Sequence, residues 1–229
     1  MASPLKILPQ PADAPSCRIE ILGEILELLP ERALYWPSRK TLLVADLHWG
    51  KDEAFRVRGH PLPEGVLTSD LARLTRCLVA RPVEQVYVLG DLIHNRDGMS
   101  ATIIESVSEW RIQNPIPIRL APGNHDRHFP TLPDAWQIEC IDPTSTLGPF
   151  TLVHDPTEQT TGYAIGGHIH PLHTIHGRND RITLPCFYFG PQFAILPAFS
   201  EFTGGQKIDP TPDAVIFLLT DQRILPLQR

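Results

Sequence analysis

Three short strand-like segments, each followed by polar residues, constrain the fold of this chain more than any other feature. They lie at residues 41–45, 85–89 and 117–121, and the first is an essentially continuous apolar run. Such a run indicates a strand buried on both faces. The polar residues that follow the segments are Asp46, Asp91 and Asn124. We therefore predict a sheet that presents these side chains at the carboxyl ends of its strands, where α/β proteins bind ligands.

Two helical patterns separate these strands. The first consists of leucines in steps of four, three and four residues: Leu67, Leu71, Leu74 and Leu78. The second has an apolar face made of Ile103, Ile104, Val107 and Trp110. Pro82 ends the first pattern, Ser100 is a candidate N-cap of the second, and Asn114 precedes the proline that stops it. The order strand, helix, strand, helix, strand indicates an α/β arrangement.

The rest of the chain is predicted to form short strands without a convincing helix after about residue 136. The segments concerned are 18–22, 25–29, 33–36, 137–141, 150–153, 163–165, 182–184, 193–196 and 214–219. Together with the parallel strands they suggest layered sheets with helices on the outer face. Residues 1–17 are proline-rich, and we expect them to be a flexible lead-in that does not pack. Residues 18–229 are expected to form a single domain.

Composition limits the classes of function that are open to the chain. The net charge of −6 gives no general basic surface for nucleic acid, so any polyanion has to be bound locally. The cysteines at positions 17, 77, 140 and 186 form no C-x-x-C pair, which predicts reduced and mostly buried thiols. The longest apolar run, residues 214–219, is far below the roughly 20 residues of a membrane span. With no continuous apolar stretch near the N-terminus, a cytoplasmic location is expected.

Metal-binding residue types are concentrated in five clusters. They are Asp46-x-His48, Gly90-Asp91-x-x-His94, Gly123-Asn124-His125-Asp126, Val153-His154 and Gly167-His168-x-His170. Carboxylate, imidazole and amide groups suit divalent ions such as Mn²⁺, Fe or Zn²⁺, and none of the clusters offers a thiolate. A single histidine at a strand end is more often structural, but the combination indicates a metal site. The sequence contains neither a P-loop nor a G-x-S-x-G motif, so nothing in it supports an NTPase or a serine hydrolase.

In their order, these clusters resemble the blocks of the calcineurin-like metallophosphoesterase superfamily. The resemblance implies a four-layer αββα sandwich, with two mixed β-sheets flanked by helices. It also implies two divalent ions, with Mn²⁺ expected first and Fe or Zn²⁺ as alternatives. Two ions about 3.5–4 Å apart activate water for direct hydrolysis of a phosphoester.

The same resemblance implies a role for each residue of the clusters. The first metal would be held by Asp46, His48 and His170, and the second by Asn124, His154 and His168. Asp91 would bridge the two ions. His125 would be the acid near the leaving group, and Asp126 would orient and charge its imidazole. His94 is a candidate neighbour of the metals, or else a partner for a nearby loop.

Longer stretches resemble a narrower family, the ligase-associated DNA damage response endonucleases of the PdeM type. These stretches are residues 46–51, 55–59, 123–127, 184–191, 196–199 and 202–205, and the resemblance covers roughly residues 20–220. It implies a metal-dependent phosphodiesterase that acts on DNA in repair. It also gives a DNA ligase, a helicase and a metallo-β-lactamase-fold exonuclease as candidate partners.

Two alternatives to DNA hydrolysis stay open. One is a phosphomonoesterase or protein phosphatase, or a nucleotide phosphodiesterase, on the same metal site. The other is a non-catalytic subunit that binds DNA or a partner, which the complete ligand set disfavours. Basic residues around the motifs are candidates for contacts with a phosphate backbone, or else are solvated charges and partners of carboxylates. They are Lys51, Arg56, Arg58 and Arg127.

Overall fold

A computed structural model describes residues 5–60, 65–129, 131–158, 161–178 and 180–227. Its first sheet consists of β1 (Leu5–Ile7), β2 (Cys17–Ile21), β3 (Glu24–Leu29), β4 (Ala33–Trp36), β5 (Thr41–Val44), β6 (Gln85–Leu89), β7 (Ile118–Ala121) and β8 (Ile138–Cys140). These strands lie side by side in chain order. Pairing is antiparallel from β1 to β5 and parallel from β5 to β8. The α-helices are α1 (Lys51–Val57), α2 (Val66–Ala80) and α3 (Ala101–Gln113).

The second sheet contains the later strands. They are β9 (Thr144–Leu147), β10 (Phe150–Val153), β11 (Tyr163–Gly166), β12 (Pro171–His176), β13 (Arg181–Phe189), β14 (Phe193–Ile195), β15 (Gln206–Lys207), β16 (Val215–Leu219) and β17 (Ile224–Pro226). The spatial order is β15-β12-β13-β14-β11-β10-β9, with β16 paired to β13 and β17 to β16. Parallel pairs occur at β10/β11, β11/β14 and β12/β15. The predicted class, two mixed sheets with helices, is confirmed.

Both faces of the first sheet are covered, which explains its apolar strands. One face packs on the second sheet, where the rings of Trp36 and Phe150 meet edge to face with centroids 5.0 Å apart. The other face packs on α2 and α3 through residues such as Leu74 and Trp110. Every residue of β5 is therefore buried.

The predicted elements match the structure best where a periodic pattern has clear end signals. β4, β6 and β10 have the predicted bounds. Helix α3 starts after Ser100, whose hydroxyl accepts a hydrogen bond from the amide of Ile103 at 3.3 Å, and this confirms the predicted cap. After residue 136, the described chain has only a short 3₁₀ turn at Pro156–Glu158 in place of an α-helix. Six of the described helices and strands were not predicted: the short helix α1 and the strands β1, β9, β12, β15 and β17.

The prediction that residues 1–17 do not pack is wrong for the part that the structure describes. β1 pairs with β2, with Leu5 opposite Ile21, and Leu8 N donates to Arg18 O at 2.9 Å. The open edge of β2 offers unpaired backbone groups, and the short apolar run before Pro9 satisfies them. Residues 1–4 of this predicted lead-in lie outside the described residues.

The cysteine prediction is confirmed, since Cys17, Cys77 and Cys186 are buried free thiols and Cys140 is an exposed one. Among the described residues, no helix has the length and apolar character needed to cross a membrane.

Candidate metal centre

The five polar clusters converge at one edge of the two sheets. Asp46, Asp91 and Asn124 follow the parallel strands β5, β6 and β7 of the first sheet. His154 follows β10, and His168 follows the parallel neighbour β11 of the second sheet. Since the carboxyl ends of parallel strands lie at one edge, the side chains are delivered to a common point.

The backbone at this edge is left-handed at residues that carry ligand-type side chains. The φ angles are +56° at Asp46, +49° at His48, +50° at Asp91, +76° at His168 and +49° at His170. Each such non-glycine residue costs on the order of 1–3 kcal/mol, and this kind of strain is found mostly at functional sites. Hydrogen bonds from Asp46 N to Gly90 O (3.1 Å) and from His48 N to Asp91 O (2.8 Å) hold two of the turns in place.

The residues predicted for the first metal lie together. His170 Nε2 is 3.2 Å from His48 Nε2 and 3.5 Å from Asp46 Oδ1. Burial, reinforced by the positive charges of His170 and Lys51, lowers the pKa of His48 far below its usual value, so this imidazole is neutral. Burial also opposes a charge on His170, but the Asp46 carboxylate outweighs it and raises the pKa of His170.

The residues predicted for the second metal form an adjoining group. His154 Nε2 lies 2.9 Å from Asn124 Oδ1 and 3.0 Å from His168 Nδ1. His154 Nδ1 donates a hydrogen bond to the backbone oxygen of Leu89 at 3.1 Å, which leaves Nε2 free to act as a ligand. His170 is held in the same manner, because its Nδ1 donates to Gly204 O at 2.7 Å.

Asp91 joins the two groups. Its Oδ2 lies 3.4 Å from His154 Nε2 and 3.9 Å from His48 Nε2. Its other oxygen, Oδ1, accepts a hydrogen bond from His125 N at 3.0 Å. This central position suits the bridging role predicted for Asp91.

The side chains fit a pair of divalent cations. Asp46 Oδ1 is buried and has no hydrogen-bond partner in the described part of the chain, and a buried carboxylate oxygen without one needs a positive partner. Potential ligand atoms of Asp46, His48 and His170 lie within 4.8 Å of one another, as do those of Asp46, Asp91 and His154. Oxygen and imidazole nitrogen donors match borderline-hard ions.

His125 lies at the rim of the centre, with 35% of its side chain exposed. Its Nδ1 donates to the backbone oxygen of His94 at 2.7 Å, and its ring stacks on that of His94 with centroids 5.1 Å apart. Nε2 therefore points towards Asp91 Oδ2, which is 4.0 Å away.

The prediction that Asp126 orients and charges His125 is wrong. Asp126 Oδ1 accepts a hydrogen bond from Ile93 N at 3.1 Å, and Oδ2 accepts one from Gly123 N at 2.8 Å. Both carboxylate oxygens are thus taken up by buried backbone amides, and they link the loop after β7 to the loop after β6. Burial raises the pKa of Asp126 despite these bonds.

His94 lies in the centre, as one of its two predicted alternatives requires. Its potential ligand atom is within 4.8 Å of those of His48 and His125. Burial, together with the charge of Lys51, lowers the pKa of His94 to about 4, so it is neutral at neutral pH. Its Nδ1 is buried without a hydrogen-bond partner among the described residues.

The four basic candidates divide into two kinds. Arg56 pairs with Glu53 at 2.6 Å and Arg58 with Asp97 at 3.0 Å, so both already have carboxylate partners. Lys51 is half-buried near the histidines and lowers the pKa of His48. Arg127 lines a cavity beside the second ligand group.

The sequence analysis did not identify the residues that hold the backbone of Ala45 and Asp46 in place. The loop after β14 donates from Phe199 N to Ala45 O (2.8 Å) and from Ser200 N to Asp46 O (3.4 Å). The buried guanidinium of Arg73 donates to Phe199 O at 2.5 Å and pairs with Asp70 and Glu201. Backbone carbonyls leave no sequence signal, and an arginine on a helix such as α2 is not distinctive.

The family model for calcineurin-like phosphoesterases matches residues 39–215. The chain belongs to the calcineurin-like phosphoesterase family. As such it is a hydrolase that acts on phosphoester bonds, and members of the family use a dinuclear divalent-metal site. No curated protein matches the chain.

The solved structures that resemble this calcineurin-like phosphoesterase include the following two. The crystal structure of Pseudomonas putida nuclease MPE has 37% sequence identity and a TM-score of 0.82, and the match covers 93% of this chain and 100% of the nuclease. A protein of unknown function from Aquifex aeolicus has 18% identity and a TM-score of 0.41, over 61% of this chain and 81% of that one. The second likeness supports no functional conclusion.

Proposed function

We propose that this phosphoesterase is a nuclease that hydrolyses internal phosphodiester bonds of DNA, with a role in DNA repair. The observation that carries the proposal is the position of Asp91 between the two ligand groups, within 3.4 Å of His154 and 3.9 Å of His48. The similarity to a solved nuclease over nearly the whole chain supports a nucleic-acid substrate.

The residues that would hold the ions are those of the two groups described above. Two divalent ions bound there would lower the pKa of a shared water and neutralise charge on the phosphate oxygens. We propose Mn²⁺ as the native metal, because nitrogen and oxygen donors are combined without a thiolate.

His125 is the proposed acid. Because the His94 carbonyl fixes Nδ1, the second proton of the imidazolium sits on Nε2, which faces the centre. As the oxygen of water bonds to phosphorus and the bond to the leaving nucleoside oxygen breaks, Nε2 gives its proton to that oxygen. General-acid catalysis of this kind contributes about 10²–10⁴-fold.

We also propose partners and a cellular location for this phosphoesterase. A DNA ligase, a helicase and a metallo-β-lactamase-fold exonuclease are proposed partners in repair, and the proposed compartment is the cytoplasm. These assignments rest on the sequence resemblance alone.

The test is incubation of the Mn²⁺-loaded protein with circular single-stranded DNA. Asp91→Asn is the inactive variant, and Asp213→Asn, which removes an exposed carboxylate in the turn before β16, is the matched control. A circle has no ends, so its conversion to linear DNA requires internal cleavage.

We expect linear product from the unmutated protein and from Asp213→Asn, and none from Asp91→Asn, with metal analysis showing loss of bound Mn²⁺ only in the last. Hydrolysis of a small phosphate monoester without cleavage of the circle would refute the DNA proposal in favour of a phosphatase.

A further inference from the structure

A cavity of about 420 Å³ opens beside the second ligand group. Asn124, His154 and His168 form part of its wall, so the cavity directly borders the second ligand group. Its volume lies in the range typical of small-molecule sites, roughly 300–1,000 Å³. The other charged side chains on its wall are Arg127, Asp155 and Glu158.

Arg127 is an exposed cation in a turn that is held in place by hydrogen bonds. It lies in the 3₁₀ turn Asp126–His128. The Asp126 carboxylate holds this turn in place by accepting hydrogen bonds from the amides of Ile93 and Gly123. The Arg127 side chain is exposed and forms no hydrogen bond or ion pair with another described residue. Arg56, by contrast, already has a carboxylate partner.

We propose that this cavity binds the nucleotide adjacent to the scissile bond, with the Arg127 guanidinium on that nucleotide's own phosphate. This inference rests on the proposed nuclease function and refines it. A guanidinium binds phosphate through two parallel charge-assisted hydrogen bonds. Arg127 therefore distinguishes a polynucleotide, which has a second phosphate, from an ester that has only one.

The two carboxylates restrict where a phosphate can lie. Asp155 accepts hydrogen bonds from Thr157 N (2.9 Å) and Thr157 Oγ1 (2.6 Å), and its other oxygen is 3.8 Å from His168 Nε2. Glu158 is exposed on the same wall. Both carboxylates repel a phosphate, so away from the metal ligands Arg127 is the side chain of this wall that attracts one. Removing Arg127 and removing the charge of Glu158 should therefore have effects of opposite sign.

The experiment compares two substrates of the Mn²⁺-loaded protein: a single-stranded DNA oligonucleotide and bis(p-nitrophenyl) phosphate, a diester with a single phosphate. The measured quantity is the ratio of kcat/KM for DNA to kcat/KM for the small diester. Arg127→Ala should lower the ratio roughly 10- to 100-fold, the size of a hydrogen bond to a charged group. It should also reduce the salt dependence of DNA binding by about one counterion.

Controls test the sign and the location of the effect. Glu158→Gln should raise the ratio, and Arg56→Ala, which removes an exposed and already paired arginine, should leave it unchanged. An unchanged ratio in Arg127→Ala, or an equal loss on both substrates, overturns the proposal, because Arg127 would then not contact a second phosphate. If the unmutated protein hydrolyses the small diester but not DNA, the nuclease proposal itself fails, and this inference fails with it.

Discussion

Replacing Arg73 with methionine should destabilise the protein, and the loss should be larger at pH 8 than at pH 5.5. The Arg73 guanidinium is 4% exposed and lies between α2 and the loop behind the metal centre. It is 3.2 Å from Asp70, which is 2% exposed. Methionine fills much of the same space but leaves the Asp70 carboxylate without its cation.

The magnitude follows from the burial of this pair. Removing one partner of a buried ion pair costs about 3–5 kcal/mol. For a chain of this length each kcal/mol lowers Tm by roughly 2–4 °C, so the expected decrease is roughly 6–20 °C.

The pH dependence follows from Asp70, because burial raises the pKa of its carboxyl from 3.8 to about 7. A carboxyl with a raised folded-state pKa contributes most below its unfolded value, and that contribution is lost as the pH rises through the folded value. Without Arg73 the folded pKa rises further, so the loss continues above pH 7 at up to about 1.4 kcal/mol per pH unit. The cost of the substitution should therefore be about 1–2 kcal/mol greater at pH 8 than at pH 5.5.

The assay is thermal unfolding at both pH values with a chelator present, so that metal binding does not contribute to Tm. Arg111→Met is the matched control, since Arg111 is also 4% exposed but donates to the carbonyl oxygens of Trp136 (2.7 Å) and Asn114 (2.6 Å). The control should lose stability equally at both pH values. Equal losses for Arg73→Met at pH 5.5 and pH 8 would refute the role assigned to Asp70.

Two further predictions concern the metal centre. His125→Ala should keep about two metal equivalents by elemental analysis while kcat falls about 10²–10⁴-fold; loss of one equivalent would make His125 a ligand instead of the acid. Gly90→Ala should lower metal content, because a Cβ at this position would overlap the ring of His154. Gly23→Ala shares the backbone strain, with φ of +81° against +79° at Gly90, but has open space around it, so it should retain its metal.

The convergence of the candidate ligand residues is predictable from the sequence because the relevant signals are local. A buried strand such as β6 is recognisable from its apolar run. A polar residue just past its end, here Asp91, then lies at the carboxyl edge of the sheet. A single polar residue at a strand end is weak evidence of a metal site, whereas five such clusters in this order are strong evidence. Helix α3 is predictable for the same reason, since its cap and its apolar face lie within one stretch of the chain.

The parts that sequence reasoning missed depend on contacts between distant segments. Helix α1 has only seven residues, too few for a clear apolar stripe, and begins after the left-handed Gly50. β12 is mostly half-buried or exposed, so its alternation is weak. The error at Asp126 has the same origin, because amides of Ile93 and Gly123 compete for its carboxylate.

The division of the ligands between two sheets has a consequence for folding. The first sheet supplies Asp46 and Asp91, whereas the second supplies His154 and His170, so neither sheet alone contains a complete ligand group. A chain with both sheets formed but not yet docked would have only part of each ligand group. Metal uptake during refolding should therefore report the docking of the sheets, and excess metal should favour the docked state by mass action.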